Sequence, residues 1–161
     1  MQIEMTIKGL MVDPVTNVPI ILLRDADGQK VLPIWVGIFE ANAIALQIEN
    51  VSPPRPMTHD LLKNVINDLK ASVQKVVVSD LKDNTFYALI YLSVNGEAMA
   101  IDARPSDAIA LALRARAPIF VEDSVIDNAK TVDFAPDKGD SERLQKWLES
   151  LDPDDMGKYK M

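Results

Sequence analysis

Apolar and polar residues alternate without a break over positions 1–8, Met1, Ile3, Met5 and Ile7 against Gln2, Glu4, Thr6 and Lys8, which predicts a half-buried strand. Two apolar runs at 18–23 and 31–36 flank the turn residues Asp25-Ala26-Asp27-Gly28 and predict a hairpin. From 39 to 49 the pattern changes period. In FEANAIALQIE, Ala41, Ala43, Ile44, Ala45, Leu46 and Ile48 cover most of a helix circumference, so this helix is expected to be buried on several sides. Pro53, Pro54 and Pro56 must end it, because proline removes a donor and fixes φ. Thr58 then suits the N-cap of a second helix over 59–71. In that helix Leu61, Leu62, Val65, Ile66 and Leu69 form a core-facing stripe, and Lys63, Asn64, Asn67, Asp68 and Lys70 face water.

The second half repeats this order. Residues 75–79 read as a strand, and 86–94 and 97–102 as a hairpin about Asn95-Gly96, the strongest short-range hairpin signal. Ser106 is expected to cap an Ala-rich helix running to about residue 116, and 118–121 reads as a short strand. The tetrapeptide Ala-Ile-Ala-Leu occurs at 43–46 and again at 108–111, closing each half about 65 residues apart. That spacing exceeds a solenoid unit. The expectation is therefore one α+β domain over 1–125, built from duplicated β-β-β-α repeats (about 1–50 and 73–117) joined by the helix at 59–71. Helices that are apolar nearly all round need cover from more than one layer, so a three-layer β/α/β arrangement is expected, with the helices between two sheets. Residues 126–161 read as an acidic extension with a helix near 141–151, where Leu144, Trp147, Leu148 and Leu151 recur at helical spacing.

Composition narrows the chemistry. The chain has 161 residues, 48% of them hydrophobic, which excludes a mainly disordered protein. Without cysteine there are no disulfides or thiolate metal sites, and the single His59 rules out a multi-histidine site. No apolar run approaches membrane-spanning length and the N-terminus lacks a signal-peptide core, so a cytoplasmic protein with no membrane partner is expected. The net charge of −7 is uneven: residues 1–121 carry 13 acids and 11 bases, residues 122–161 carry 11 acids and 6 bases. Nucleic-acid binders usually show a basic footprint, and globally this chain does not.

Three polar stretches stand apart from the apolar frame: Glu40 at the start of the first buried helix, Arg55-Pro56-Met57-Thr58-His59-Asp60, and Asp102-Ala103-Arg104-Pro105-Ser106-Asp107. Each has a structural reading, with Asp60 and Asp107 complementing helix dipoles, Thr58 and Ser106 capping, and the arginines pairing with neighbouring acids. Together they have a chemical one. Two helix N-termini with Arg55 and Arg104 favour an anion such as phosphate. Carboxylates holding a divalent cation, or His59 as general base, would activate water, and arginine would stabilise developing charge.

The stretches LPIWVGIFEANAIAL (32–46), RPMTHDLL (55–62), KDNTFYALI (82–90) and IDARPSDAIALALRARAPIFV (101–121) closely resemble the bifunctional nuclease domain family. The resemblance covers roughly residues 1–125. It implies the same duplicated three-strand-plus-helix domain and a nuclease acting on DNA and RNA with low sequence specificity. The positions matching the family's motifs are Glu40, Arg55, His59, Asp60, Asp102, Arg104, Ser106 and Asp107. The candidate catalytic residues are His59, Asp60, Asp102, Asp107 and Glu40, the candidate phosphate-binding residues Arg55, Arg104 and Ser106, and the candidate metal ligands Asp102 and Asp107. Mg²⁺ or Mn²⁺ is the expected cation and no organic cofactor is expected. The alternative is a non-enzymatic binding or regulatory module. A homo-oligomer is expected on either reading.

Overall fold

The computed structural model describes residues 1–129 and the backbone of 132–133. An antiparallel meander of β1 (Gln2–Val12), β2 (Pro19–Asp25) and β3 (Lys30–Trp35) leads into helix α1 (Ile38–Ile48). Helix α2 (Thr58–Asp68) connects to a second antiparallel meander, β4 (Ala71–Lys82), β5 (Thr85–Val94) and β6 (Glu97–Ala103), followed by α3 (Pro105–Ala115). β7 (Ile119–Glu122), α4 (Asp123–Asn128) and the two-residue β8 (Val132–Asp133) complete the described chain.

β7 joins the meanders. It runs parallel to β4 through Val76↔Ile119 and antiparallel to β1 through Met5↔Ile119, so the strand order is β6-β5-β4-β7-β1-β2-β3-β8. These strands form one continuous sheet, which corrects the expectation of two separate sheets; the α+β class stands. The β5–β6 turn follows from its residues. Asn95 and Gly96 both take positive φ, 52° and 81°, as a two-residue hairpin turn matched to strand twist requires.

α3 shows how a helix that is apolar nearly all round is covered. It packs against β4 and β5 on one side and against α1 and α2 on others, and eight of its eleven residues are buried. Ile109 and Leu111 are fully enclosed, each burial contributing about 2 kcal/mol before ordering costs. α1 is less enclosed than its pattern predicts: Ala41, Ala43 and Ile44 are buried, while Ile38 and Phe39 stand in solvent.

The stripe assigned to α2 is a larger departure. Only Ile66 is buried, and Leu61, Val65 and Leu69 are exposed. Leu62 and Ile66 border a pocket, and the first turn of the helix is tied to α3 by an ion pair. α4 and β8, which pairs with β3, were not read from the sequence. The helix expected near 141–151 lies outside the described residues.

Candidate active site

The local starts of α1, α2 and α3 bring the polar stretches together. Gly37 is the N-cap of α1, Met57 that of α2 and Arg104 that of α3, with Pro105 at the first helical position, where its missing N–H is not needed. Thr58 and Ser106, expected as caps, lie one and two residues further in, and no side chain caps α1 or α3. In all three helices the third helical position is acidic: Glu40, Asp60 and Asp107. These carboxylates suit the positive end of each macrodipole.

A pocket of about 770 Å³ opens between α1, α2, α3 and the β5–β6 end of the sheet. At it, His59 Nε2 lies 2.9 Å from Asp107 Oδ1. Arg104 Nε donates to Asp107 Oδ2 at 2.9 Å, and Arg104 Nη2 donates to Glu40 Oε1 at 2.6 Å. The result is a continuous chain His59–Asp107–Arg104–Glu40, with one member from α2, one from α1 and two from the start of α3. The His59 side chain is only 12% exposed, so its ring is held by its surroundings as well as by Asp107. A carboxylate facing a guanidinium accepts rather than donates, so His59 Nε2 is the donor to Asp107 Oδ1. The bonds to Asp107 and then to Glu40 hold the Arg104 guanidinium above its ordinary value, against burial, which lowers it.

Around these polar groups the pocket wall is apolar, formed by Phe39, Met57, Leu62, Ile90, Leu92 and Ile101. Asp102 reaches the pocket from β6 and is exposed, with no hydrogen bond or ion pair among the described residues.

Three expected site residues are placed elsewhere. Asp60 turns away from the pocket: its Oδ2 accepts from Met57 N–H at 3.0 Å and its Oδ1 from Arg114 Nε at 2.7 Å. Burial pushes the Asp60 carboxyl up, but the Met57 N–H and the Arg114 guanidinium outweigh it and hold it below the ordinary carboxylate value. Ser106 Oγ is fully buried, has no hydrogen-bond partner among the described residues and does not line the pocket. Arg55 is exposed on the proline-bounded segment before α2 and does not line the pocket either.

Arg114 was not singled out from the sequence. Its guanidinium also donates to Ala110 O at 2.9 Å and Ala43 O at 3.0 Å, so it ties α1, α2 and α3 together. The readable signal was an arginine inside a helix otherwise apolar all round, a position that demands a partner.

Among the described residues, no three His, Asp or Glu side chains stand together as ligands. Both Asp107 oxygens are engaged by His59 and Arg104, leaving Asp102 as the free carboxylate at the pocket.

Residues 21–133 match the bifunctional nuclease domain family model, a span that includes Glu40, His59, Arg104 and Asp107. The chain is 40% identical over 163 residues to an uncharacterized protein of Mycobacterium tuberculosis, covering 94% of this chain and 96% of that relative. It is 32% identical over 111 residues to bifunctional nuclease 2 of Oryza sativa subsp. japonica, covering 66% of this chain and 34% of the rice protein. It is also 32% identical over 107 residues to bifunctional nuclease 1 of Arabidopsis thaliana, covering 64% of this chain and 33% of that protein. This chain thus spans about a third of each plant relative. With the family match extending over more than two thirds of its length, the chain belongs to the bifunctional nuclease domain family.

Proposed function

We propose that this protein is a nuclease that hydrolyses phosphodiester bonds in DNA and RNA, in a cytoplasmic setting, at the pocket carrying His59, Asp107, Arg104 and Glu40. The observation that carries the reading is the 2.9 Å contact between His59 Nε2 and Asp107 Oδ1, with Arg104 closing on the other carboxylate oxygen. Asp107 fixes the imidazole orientation and tautomer. His59 Nδ1 takes a proton from water as the oxygen bonds to phosphorus and the opposite P–O bond breaks. Arg104 uses its remaining donor, Nη1, for a phosphate oxygen, and Glu40 holds the guanidinium in place. The leaving oxygen takes its proton from solvent water at the pocket rim, which Asp102 borders. Arg55, outside the pocket, meets a more distant phosphate of the strand. The matching order of the two halves, each a three-strand meander followed by a helix, supports an internal duplication that set the starts of α1 and α3 side by side.

One observation favours the second reading, a non-enzymatic binding module. Arg104 is neutralised by two carboxylates, and the pocket wall is mostly apolar. The discriminating experiment is purified protein with labelled single-stranded DNA and RNA, with and without chelator, beside His59→Ala. The nuclease reading expects cleavage that disappears in His59→Ala, and the chelator arm reads whether a divalent cation takes part. Binding without cleavage by the wild type would support the second reading.

A further inference from the structure

Phe39, the second residue of α1, lines the pocket and yet is 84% exposed, the most open aromatic residue among those described. It directly precedes Glu40, whose carboxylate accepts from Arg104 at 2.6 Å. The ring therefore stands at the mouth of the pocket, one residue from the group that holds the guanidinium. Behind it the wall is apolar, with Leu62 from α2 and Ile90 and Leu92 from β5. The packing of α1 on the protein is done by Ala41, Ala43 and Ile44, so the fold makes no use of the Phe39 ring.

The charges at the pocket decide which part of a nucleotide fits inside. Glu40, Asp102 and Asp107 line it against one guanidinium, Arg104, and one imidazole, His59. Arg104 already serves two of those acids. One phosphate can reach its remaining donor, but a second anion deeper in would meet carboxylates and apolar wall. A flat, uncharged heteroaromatic ring meets neither obstacle. The volume of about 770 Å³ is in the range of sites that enclose a small organic molecule, well beyond the space a phosphate group fills.

We infer that the pocket takes one unstacked nucleobase, whose face stacks on the Phe39 ring, so that the strand bound is an unpaired one. The inference rests on the reading of this pocket as the nucleic-acid site and assigns the residue that holds the base beside the phosphate. Every base has a π-face, and a mostly apolar wall does little to read a base edge, so stacking here is tolerant of sequence. A base within a duplex is paired and stacked on its neighbours and must first be extruded, which makes duplex the poorer ligand.

The test is fluorescence anisotropy on the full chain with three end-labelled probes, read over times at which each probe is intact. They are a mixed-sequence single strand, the same sequence as duplex, and an abasic strand of equal length that keeps every phosphate. The single strand is expected to bind about tenfold or more tighter than either of the others. Phe39→Ala should remove that advantage, with binding of the abasic strand and the thermal midpoint unchanged. Phe39→Trp should restore it, and Phe39→Leu, apolar but without a ring, should not. In the cleavage assay Phe39→Ala should raise KM for single strands more than it lowers kcat. Base-dependent binding lost in Phe39→Ala, with no probe ever cut, supports the stacking platform and removes the hydrolytic reading. Cleavage by the wild type with Kd and KM unchanged in Phe39→Ala keeps the hydrolytic reading and overturns the platform. Failure to bind any probe, equal binding of the abasic and base-bearing strands, or a Phe39→Leu variant that binds like the wild type also overturns it.

Discussion

Arg104 Nη2 donates to Glu40 Oε1 at 2.6 Å, joining the start of α3 to the start of α1 across 64 residues of sequence. The Arg104 side chain is 49% exposed, so the pair contributes little to stability, of order 1 kcal/mol or less. Arg104→Ala should therefore leave the thermal midpoint within a few degrees. Nucleic-acid cleavage should fall about 100-fold or more, as when a donor to developing charge is removed. Differential scanning calorimetry beside a cleavage assay checks both; a collapse of the midpoint would mark Arg104 as a structural clasp.

Gly37 bears on the same pair. Its φ of −69° is open to any residue, yet a Cβ there would collide with Glu40 Oε2. Gly37→Ala should displace the Glu40 carboxylate and loosen its hold on Arg104, lowering cleavage several-fold with the fold intact. Glu40→Gln should do the same. The measurement is kcat and KM for both variants, with circular dichroism as the control for folding.

Arg114 should behave in the opposite way. Its side chain is 3% exposed, and it serves Asp60 and two backbone carbonyls on different helices. Arg114→Ala strands a largely buried carboxylate and should cost about 3 kcal/mol, read as a lower denaturant midpoint at unchanged slope.

These contrasts show what the sequence could reveal. Period-2 and period-3.6 patterns located the first seven strands and three longer helices, because alternation and helical spacing are local properties. The meeting of His59, Asp107, Arg104 and Glu40 was legible only as a suspicion, since three separate helix starts had to converge. The different fates of Asp60 and Asp107 were not legible. Both are acids at the third position of a helix, and only packing turns one to Arg114 and the other to His59. Sheet continuity was missed for a similar reason. It depends on the four-residue strand β7, whose partners lie 43 and 114 residues away in the pairs Val76↔Ile119 and Met5↔Ile119.

Acid stability should depend on Asp13 as well as Asp60. Asp13 is fully buried and accepts from Trp35 Nε1 at 2.9 Å and from the Val15 and Thr16 N–H groups. Burial raises this carboxyl, but the three hydrogen bonds prevail and hold it below its ordinary value of 3.8. The folded chain thus binds fewer protons at Asp13 and Asp60 than the unfolded chain. Their stabilisation is complete above the unfolded value and is lost as pH falls through the lower folded values. The stability gap between wild type and Asp13→Asn, measured by urea unfolding, should be constant above about pH 5 and shrink below about pH 4.

The most direct measurement is cleavage and stability of Asp107→Asn side by side. This change keeps the shape of the side chain but replaces one acceptor oxygen with an amide donor, removing the group that orients His59. If the pocket is a reaction centre, cleavage of single-stranded RNA and DNA falls at least about 100-fold while the thermal midpoint moves only a few degrees. Cleavage at the wild-type rate by a folded Asp107→Asn protein would contradict it.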